Sequence, residues 1–279
     1  MLKACVIGHP VSHSRSPLIH NTWLRQLGID GLYERQDVAP QDLSSFISSL
    51  STSSYAGCNV TLPHKEVVAG LVDVPDERVA RTGSANTLFK RDGKICATTT
   101  DGEGFVQNVL WRNPGFSFSG SHVTILGAGG SSRAIIDELL LRGVDRISLV
   151  NRTLSRAEDL ANLFGPKVKA LALDQVKEAL PTADLLVNTT SAGIASTDDF
   201  AIDLSALKPA ATVADINYVP LITPFLQRAS AAGHVIVPGL GMLLHQAVTG
   251  FELWFGQRPP VTEDLYNLVA ADITGTGKP

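Results

Sequence analysis

A short apolar run, Val123-Thr124-Ile125-Leu126, leads straight into Gly127-Ala128-Gly129-Gly130-Ser131-Ser132-Arg133, and from there into a helical pattern that ends at Leu141. Few folds use that order. A buried strand that turns on glycine into a helix leaves backbone N–H groups open at the positive helix end, the geometry that holds a pyrophosphate. The first glycine permits the tight turn and the second lets the backbone approach phosphate oxygens. Ser132 takes the third position of the usual glycine fingerprint and is small enough for close helix–strand packing. Gly127, Ala128, Gly129, Gly130 and Ser131 are therefore candidate cofactor-binding positions; a purely structural glycine turn is the alternative.

The same rhythm continues downstream. The pattern predicts a strand over 147–150, a helix over 154–164, and strands over 168–171, 185–188, 213–216 and 235–237. Repeated β-α-β units with short apolar strands imply a parallel sheet covered on both faces. Upstream, a strand over 2–8 precedes a helix that opens at Ser16-Pro17 and stops at Gly28, with Ser16 suited to the N-cap and Pro17 to the first helical position. A strand over 32–38, a helix over 42–50 and a strand over 56–62 follow. Strands over 87–90 and 94–98 flank Arg91-Asp92-Gly93, a hairpin signal. From Gly241 on, the period is helical with no strand partner, and the tail 274–279 reads as frayed. No internal repeat or low-complexity segment is visible.

At 279 residues the chain suits two domains of roughly 150 residues each. The fold class is α/β: an N-terminal α/β domain over 1–101, completed by C-terminal helices over 240–279, and a Rossmann-type doubly wound parallel sheet over 102–239. Hydrophobic residues make up 44% and charged residues 18% of the chain, which excludes disorder for most of it. A net charge of −4 argues against a nucleic-acid partner. Cys5, Cys58 and Cys96 lie far apart without a CxxC or Cys/His cluster, so neither a disulfide framework nor a metal site is expected. No apolar stretch approaches the ~20 residues of a membrane span. The expectation is a soluble cytoplasmic protein without a membrane partner.

The strand after the glycine loop ends in Asn151-Arg152-Thr153 rather than in an acid. An acid there binds the ribose 2′-hydroxyl of NAD, whereas arginine attracts the 2′-phosphate of NADP. Asn151, Arg152 and Thr153 thus point to NADP, with helix capping by Thr153 as the bland alternative. In the first domain, His13-Ser14-Arg15-Ser16-Pro17 sets two hydroxyls beside free helix N–H groups, an anion site in outline. Lys65 stands just past a strand, where lysine is ordinarily a solvated charge, and Asp101 stands before a helix, where capping is its ordinary task.

Read together, several ordered segments resemble the shikimate dehydrogenase family along nearly the whole chain: G-H-P-V-S-H-S-R-S-P, N-V-T-L-P-H-K, Asn86-Thr87-Leu88, T-D-G-E-G, G-A-G-G-S-S-R, N-R-T, N-T-T-S-A-G, D-I-N-Y-V-P and G-L-G-M-L-L-H-Q-A. The resemblance implies an N-terminal substrate domain, an NADP-binding Rossmann domain and a cleft between them. It implies that Ser14 and Ser16 bind a substrate carboxylate, that Thr61, Asn86 and Gln246 bind ring hydroxyls, and that Tyr218 lines the substrate pocket. Lys65 and Asp101 match the family's catalytic pair. Thr190, Ile216, Gly239 and Met242 match positions beside the nicotinamide or ribose, and Glu77 matches one more loosely. The chain departs from the common pattern at Cys58, at Ser84-Ala85 and at Thr99, none of which removes a catalytic group.

The implied reaction is reversible reduction of 3-dehydroshikimate to shikimate with NADPH. Lys65 would stabilise the developing alkoxide and Asp101 would hold the ammonium; which of the two moves the proton stays open. Two other readings remain: a quinate/shikimate dehydrogenase of broader substrate and cofactor use, disfavoured by Arg152, and a non-catalytic NADP-sensing regulator, which predicts loss of the Lys/Asp pair. Family members occur as monomers or homodimers. Glycines near 101–102 and 239–241 suggest hinges between the domains.

Overall fold

The computed structural model describes residues 1–190 and 202–276. The Ser191-Ala192-Gly193 part of the N-T-T-S-A-G segment and the last three residues of the tail lie outside the described residues. The chain forms two compact units.

The first unit comprises Met1–Gly104 and Leu243–Val269. Its elements are β1 (Leu2–Gly8), α1 (Ser16–Gln26), β2 (Gly31–Asp37), α2 (Leu43–Leu50), β3 (Tyr55–Val60), α3 (Lys65–Ala69), β4 (Val74–Pro75), α4 (Glu77–Thr82), β5 (Thr87–Arg91) and β6 (Lys94–Thr98). The six-stranded sheet runs β2-β1-β3-β5-β6-β4. β1 pairs in parallel with β2 and β3, and β5 runs antiparallel to β3 and β6. The β5–β6 turn has Asp92 at φ 52° and Gly93 at φ 74°, the left-handed pair that a two-residue hairpin of matching twist needs.

α1 ends as its sequence suggests. Gly28 has φ +64°, Ile29 N–H reaches Leu24 O and Gly28 N–H reaches Arg25 O, so two end carbonyls are satisfied. Its start differs from expectation. Arg15 is the N-cap and Ser16 is already the first helical residue, so Ser16 does not cap. α3 and β4 are too short to carry a clear sequence signal, whereas α4 is bounded by Asp76, whose side chain accepts from Val79 N–H, and by Gly83 at φ 63°.

Two further helices, α5 (Asp101–Arg112) and, after the second unit's strands, α10 (Leu240–Phe255), continue from one unit into the other. Within the first unit, Phe251 and Trp254 of α10 join Trp23 and Tyr33 around the buried ring of His20. Trp254 Nε1 donates to Leu88 O at 2.8 Å. This contact explains Gly57: a Cβ there would sit 2.1 Å from Leu88 O and 2.3 Å from Trp254 Nε1.

The second unit comprises Phe105–Met242 and the chain from Ala270 on. It contains β7 (His122–Leu126), α6 (Gly130–Leu141), β8 (Arg146–Asn151), α7 (Leu154–Phe164), β9 (Val168–Ala172), α8 (Val176–Ala179), β10 (Leu185–Asn188), β11 (Thr212–Asp215), α9 (Pro224–Ala231) and β12 (Val235–Val237), while α11 (Glu263–Thr274) starts in the first unit and ends in the second. All its strand pairs are parallel, in the order β12-β11-β10-β7-β8-β9. Strand residues alternate between two apolar clusters. Ile147, Leu149, Leu185 and Val187 enter one, and Val150, Leu186 and Val213 the other. Both faces are therefore covered, as parallel sheets require. The strand order reverses between β7 and β10, and ligands of such sheets bind at the carboxyl ends of strands at that switch point.

Three glycines near the two crossings are closely packed. A Cβ on Gly239 would lie 2.3 Å from Ile216 O, and one on Gly241 would lie 1.9 Å from Asn108 Oδ1. A Cβ on Gly104 would lie 2.6 Å from Gln246 N. Gly104, Gly239 and Gly241 thus sit where the chain packs too closely for a Cβ.

Candidate active site

In the first unit, β3 delivers the chain through Thr61-Leu62-Pro63 to Lys65, the first residue of α3. Lys65 Nζ lies 2.5 Å from Asp101 Oδ2, and the two side chains are only 13% and 7% exposed. Asp101 is the first residue of α5, and its carboxylate serves this tertiary pair rather than the cap that its position suggested. Asp101 Oδ1 accepts from Asn86 Nδ2 at 2.8 Å. The same Nδ2 lies 2.9 Å from Thr100 Oγ1 and 3.3 Å from Gln246 Oε1. Lys65, Asn86, Asp101 and Gln246 thus converge on one buried polar site. Burying a charged pair carries a desolvation cost of several kcal/mol per ion before compensation, so such pairs mark function more often than stability.

Ser14 and Ser16 sit at the start of α1. Ser14 Oγ accepts from Ser16 N–H at 3.3 Å, so the hydroxyl that ties down the helix start is that of Ser14. Arg35 on β2 grips Ser14 O with Nε at 3.0 Å and Nη2 at 2.6 Å. Thr61 is half-buried, and its N–H donates to Ile7 O at 2.9 Å, which sets it at the carboxyl end of β1. Glu77 opens α4, where its side chain is 96% exposed and faces Arg81 at 3.7 Å; it is not part of the Lys65 cluster.

In the second unit the glycine loop lies at the carboxyl end of β7. Gly127 has φ +107°, and a Cβ there would sit 2.6 Å from Thr189 Oγ1 and 2.8 Å from Thr190 Cγ2. A Cβ on Gly129, the N-cap of α6, would instead point into open space. A tight turn followed by an open helix start is the cradle a pyrophosphate needs. Ser132 does more than the small residue expected from sequence. Its hydroxyl donates to Gly127 O at 2.8 Å, accepts from Gly129 N–H at 3.2 Å and lies 2.7 Å from Thr189 Oγ1. Ser132 and Thr189 therefore knit the loop shut beneath Ala128, Gly130 and Ser131, a role with no local sequence signal.

β8 ends at Asn151, whose Nδ2 donates to Thr153 O at 2.8 Å. Thr153 is the N-cap of α7, yet its hydroxyl makes no capping hydrogen bond. Arg152 is exposed and makes no ion pair among the described residues. An exposed guanidinium at the end of β8, with no acid beside it, fits the 2′-phosphate of NADP better than the bare ribose of NAD.

The carboxyl ends of β10 to β12 complete the edge. Asn188 Oδ1 accepts from Thr190 N–H at 3.1 Å and Thr190 Oγ1 at 2.7 Å, and Asn217 Nδ2 donates to Thr190 O at 2.8 Å. Both asparagines are anchored on buried Asp215: its Oδ1 accepts from Asn217 N–H at 2.9 Å and Asn188 Nδ2 at 3.2 Å. Burial pushes the Asp215 carboxyl above its usual range. Ile216 and Gly239 touch through their backbones, Met242 is buried, and Tyr218 is half-buried just past β11. Among the described residues, no group of His, Cys, Asp and Glu is arranged to hold a metal ion, and no helix is long and apolar enough to cross a membrane.

Residues 6–88 match the shikimate dehydrogenase substrate binding domain, residues 112–216 match shikimate / quinate 5-dehydrogenase, and residues 239–264 match the shikimate 5′-dehydrogenase C-terminal domain. The chain belongs to the shikimate dehydrogenase family. A relative from Rhodopseudomonas palustris, described as shikimate dehydrogenase (NADP(+)), is 52% identical over 270 residues, covering 97% of this chain and 96% of its own. Among solved family structures, shikimate 5-dehydrogenase from Thermus thermophilus, in complex with NADP(H) and shikimate, superposes with a TM-score of 0.85 at 32% identity, covering 98% of this chain and 100% of that one. Quinate dehydrogenase from Corynebacterium glutamicum, in complex with NAD, superposes with a TM-score of 0.88 at 27% identity over 97% of this chain and 99% of that one. The family's α/β architecture is the one described above.

Proposed function

We propose that this chain is an NADP-dependent shikimate dehydrogenase that reversibly reduces 3-dehydroshikimate to shikimate, a step toward the aromatic amino acids. The observation that carries the reading is the buried Lys65–Asp101 pair, joined by Asn86 and Gln246. The first unit is the substrate and catalytic domain and the second the NADP domain. The likeness to NADP-named relatives and the acid-free end of β8 support the cofactor assignment.

The bound cofactor supplies or removes the hydride at the substrate carbon. The chain does the rest. The Lys65 ammonium faces the substrate oxygen, stabilises the negative charge that grows there and donates the proton that completes the hydroxyl. Asp101 fixes the ammonium and accepts the substrate hydroxyl. Asn86, Gln246 and Thr61 orient the ring by its hydroxyls, and Tyr218 closes the pocket. Ser14 and Ser16 hold the carboxylate with Arg35 close behind. Gly127 to Ser131 cradle the pyrophosphate, Asn151 to Thr153 hold the 2′-phosphate, and Thr190, Ile216, Gly239 and Met242 flank the nicotinamide. Glu77 belongs with the cofactor set by resemblance alone. Three free, buried thiols fit a cytoplasmic setting.

Initial rates with shikimate and with quinate, each against NADP and NAD, test the assignment. Turnover confined largely to shikimate with NADP is expected. A preference for quinate with NAD would favour the broader dehydrogenase of the same fold, and no turnover with any pair would favour a non-catalytic NADP sensor.

A further inference from the structure

We propose that Thr87 and Asn59 are positioning residues for the catalytic pair: a directed run of buried hydrogen bonds from Tyr33 through Asn59 and Thr87 fixes the Asn86 amide, and through it Asp101. The inference rests on the reading of Lys65 and Asp101 given above.

The direction of the run follows from two backbone anchors. Asn59 Nδ2 lies 3.1 Å from the Asn86 carbonyl oxygen, which can only accept, so that end of Asn59 is its NH₂ group. Asn59 Oδ1 must then accept, and it takes the Tyr33 phenol hydrogen at 2.6 Å. The second Asn59 N–H goes to Thr87 Oγ1 at 3.2 Å. Thr87 has one hydroxyl hydrogen, and it goes to Asn86 Oδ1 at 3.0 Å. The other anchor confirms that this atom is the amide oxygen, because Thr100 N–H, which can only donate, reaches it at 2.9 Å. The Asn86 NH₂ group is thereby turned toward Asp101 Oδ1 and Gln246 Oε1. Asp101 Oδ2 remains for Lys65.

The sheet builds this run. Asn59 on β3 and Thr87 on β5 are directly opposite in register. Asn59 is 5% exposed and Thr87 0%, in a sheet interior where apolar pairs are the ordinary choice. Upstream, the His20 ring stacks on Tyr33 at 4.0 Å and holds the phenol in place. Were the Asn86 amide to turn over, its oxygen would face the Asp101 carboxylate and its NH₂ group would face Thr100 N–H. Thr100 N–H, which can only donate, opposes that turn, and Thr87 adds a second hydrogen bond to the oxygen in the orientation seen.

Thr87→Val keeps the shape and deletes the hydroxyl; Thr87→Ser restores it. The expected result is a kcat loss on the order of tenfold or more for Thr87→Val, recovery by Thr87→Ser, and a KM for NADP that stays put in both. Tyr33→Phe, which removes the phenol hydroxyl at the far end, should move kcat in the same direction by less. Solvent exchange of the Asn86 side-chain amide, followed by NMR without substrate, reads the same positioning apart from turnover. It should quicken in Thr87→Val and stay slow in Thr87→Ser. Unchanged kcat and unchanged amide exchange in Thr87→Val would overturn the proposal, as would a kcat loss that only follows the folded fraction. If wild type fails to turn over shikimate, the functional reading falls, while the amide exchange still decides the positioning role.

Discussion

Acidification should destabilise the first unit through one side chain, His20. Its ring is fully buried, and the Asn59 side chain beside it offsets only part of that burial. Tyr33 stacks on it at 4.0 Å, Trp23 meets its edge at 5.6 Å and Phe251 lies 5.8 Å away. Burial penalises the imidazolium and lowers the pKa from 6.5 to about 3. Because the folded value lies below the unfolded one, the unfolded chain binds the extra proton between those two limits. The stability contributed by the neutral ring is complete above the unfolded pKa and is lost as pH falls toward the folded one. Each pKa unit is worth about 1.4 kcal/mol, so about 1.5 units of descent, to about pH 5, costs roughly 2 kcal/mol, or about thirtyfold in the folding equilibrium. Urea unfolding followed by tryptophan fluorescence, at neutral pH and near pH 5, measures the loss. His20→Phe keeps an aromatic stack that cannot titrate, so the pH-induced loss should shrink by ~2 kcal/mol in that variant. Equal losses in both proteins would refute the assignment of the acid lability to His20.

Arg152→Ala should weaken NADP on the order of ten- to a hundredfold and leave NAD unchanged, because only NADP carries the 2′-phosphate. The arginine is exposed, so the effect should shrink as salt rises; equal losses for both cofactors in a fluorescence titration would make Arg152 a support of its loop. Ser14→Ala and Ser16→Ala should each raise the KM for shikimate. Ser14→Ala should also cost ~1 kcal/mol of stability in thermal melts, since its hydroxyl receives the Ser16 N–H, and a lower melt with unchanged KM would leave Ser14 only that duty.

The second unit is the more legible part of the sequence. Its strands are apolar on both faces and separated by amphipathic helices, so local pattern and tertiary burial agree. The strands read over 168–171 and 185–188 and the helix over 154–164 reappear within a residue as β9, β10 and α7. The stretch from Lys65 to Pro75 is not legible, because α3 has five residues and β4 has two and exists only through its pairing with β6. Polar residues with tertiary partners pass for local devices when only their neighbours in sequence are in view. Asp101 looks like a cap by position and is bound to Lys65 and Asn86 instead. Ser16 looks like the cap of α1, whereas Ser14 holds the helix start. Asn59 stands out as a polar residue inside an apolar strand, but its partner Thr87 is visible only once the β3–β5 register is known.

The central claim is that the buried Lys65 ammonium acts in the transition state, and steady-state kinetics of Lys65→Met test it most directly. Methionine keeps most of the side-chain stem in place and removes the ammonium, with its charge and its N–H donors. With shikimate and NADP, kcat should fall by roughly 10²–10⁴-fold while the KM for shikimate changes far less, because the alkoxide-like transition state needs the cation more than the bound ground state does. A Lys65→Met enzyme with wild-type kcat, folded and saturable by both ligands, would contradict the account.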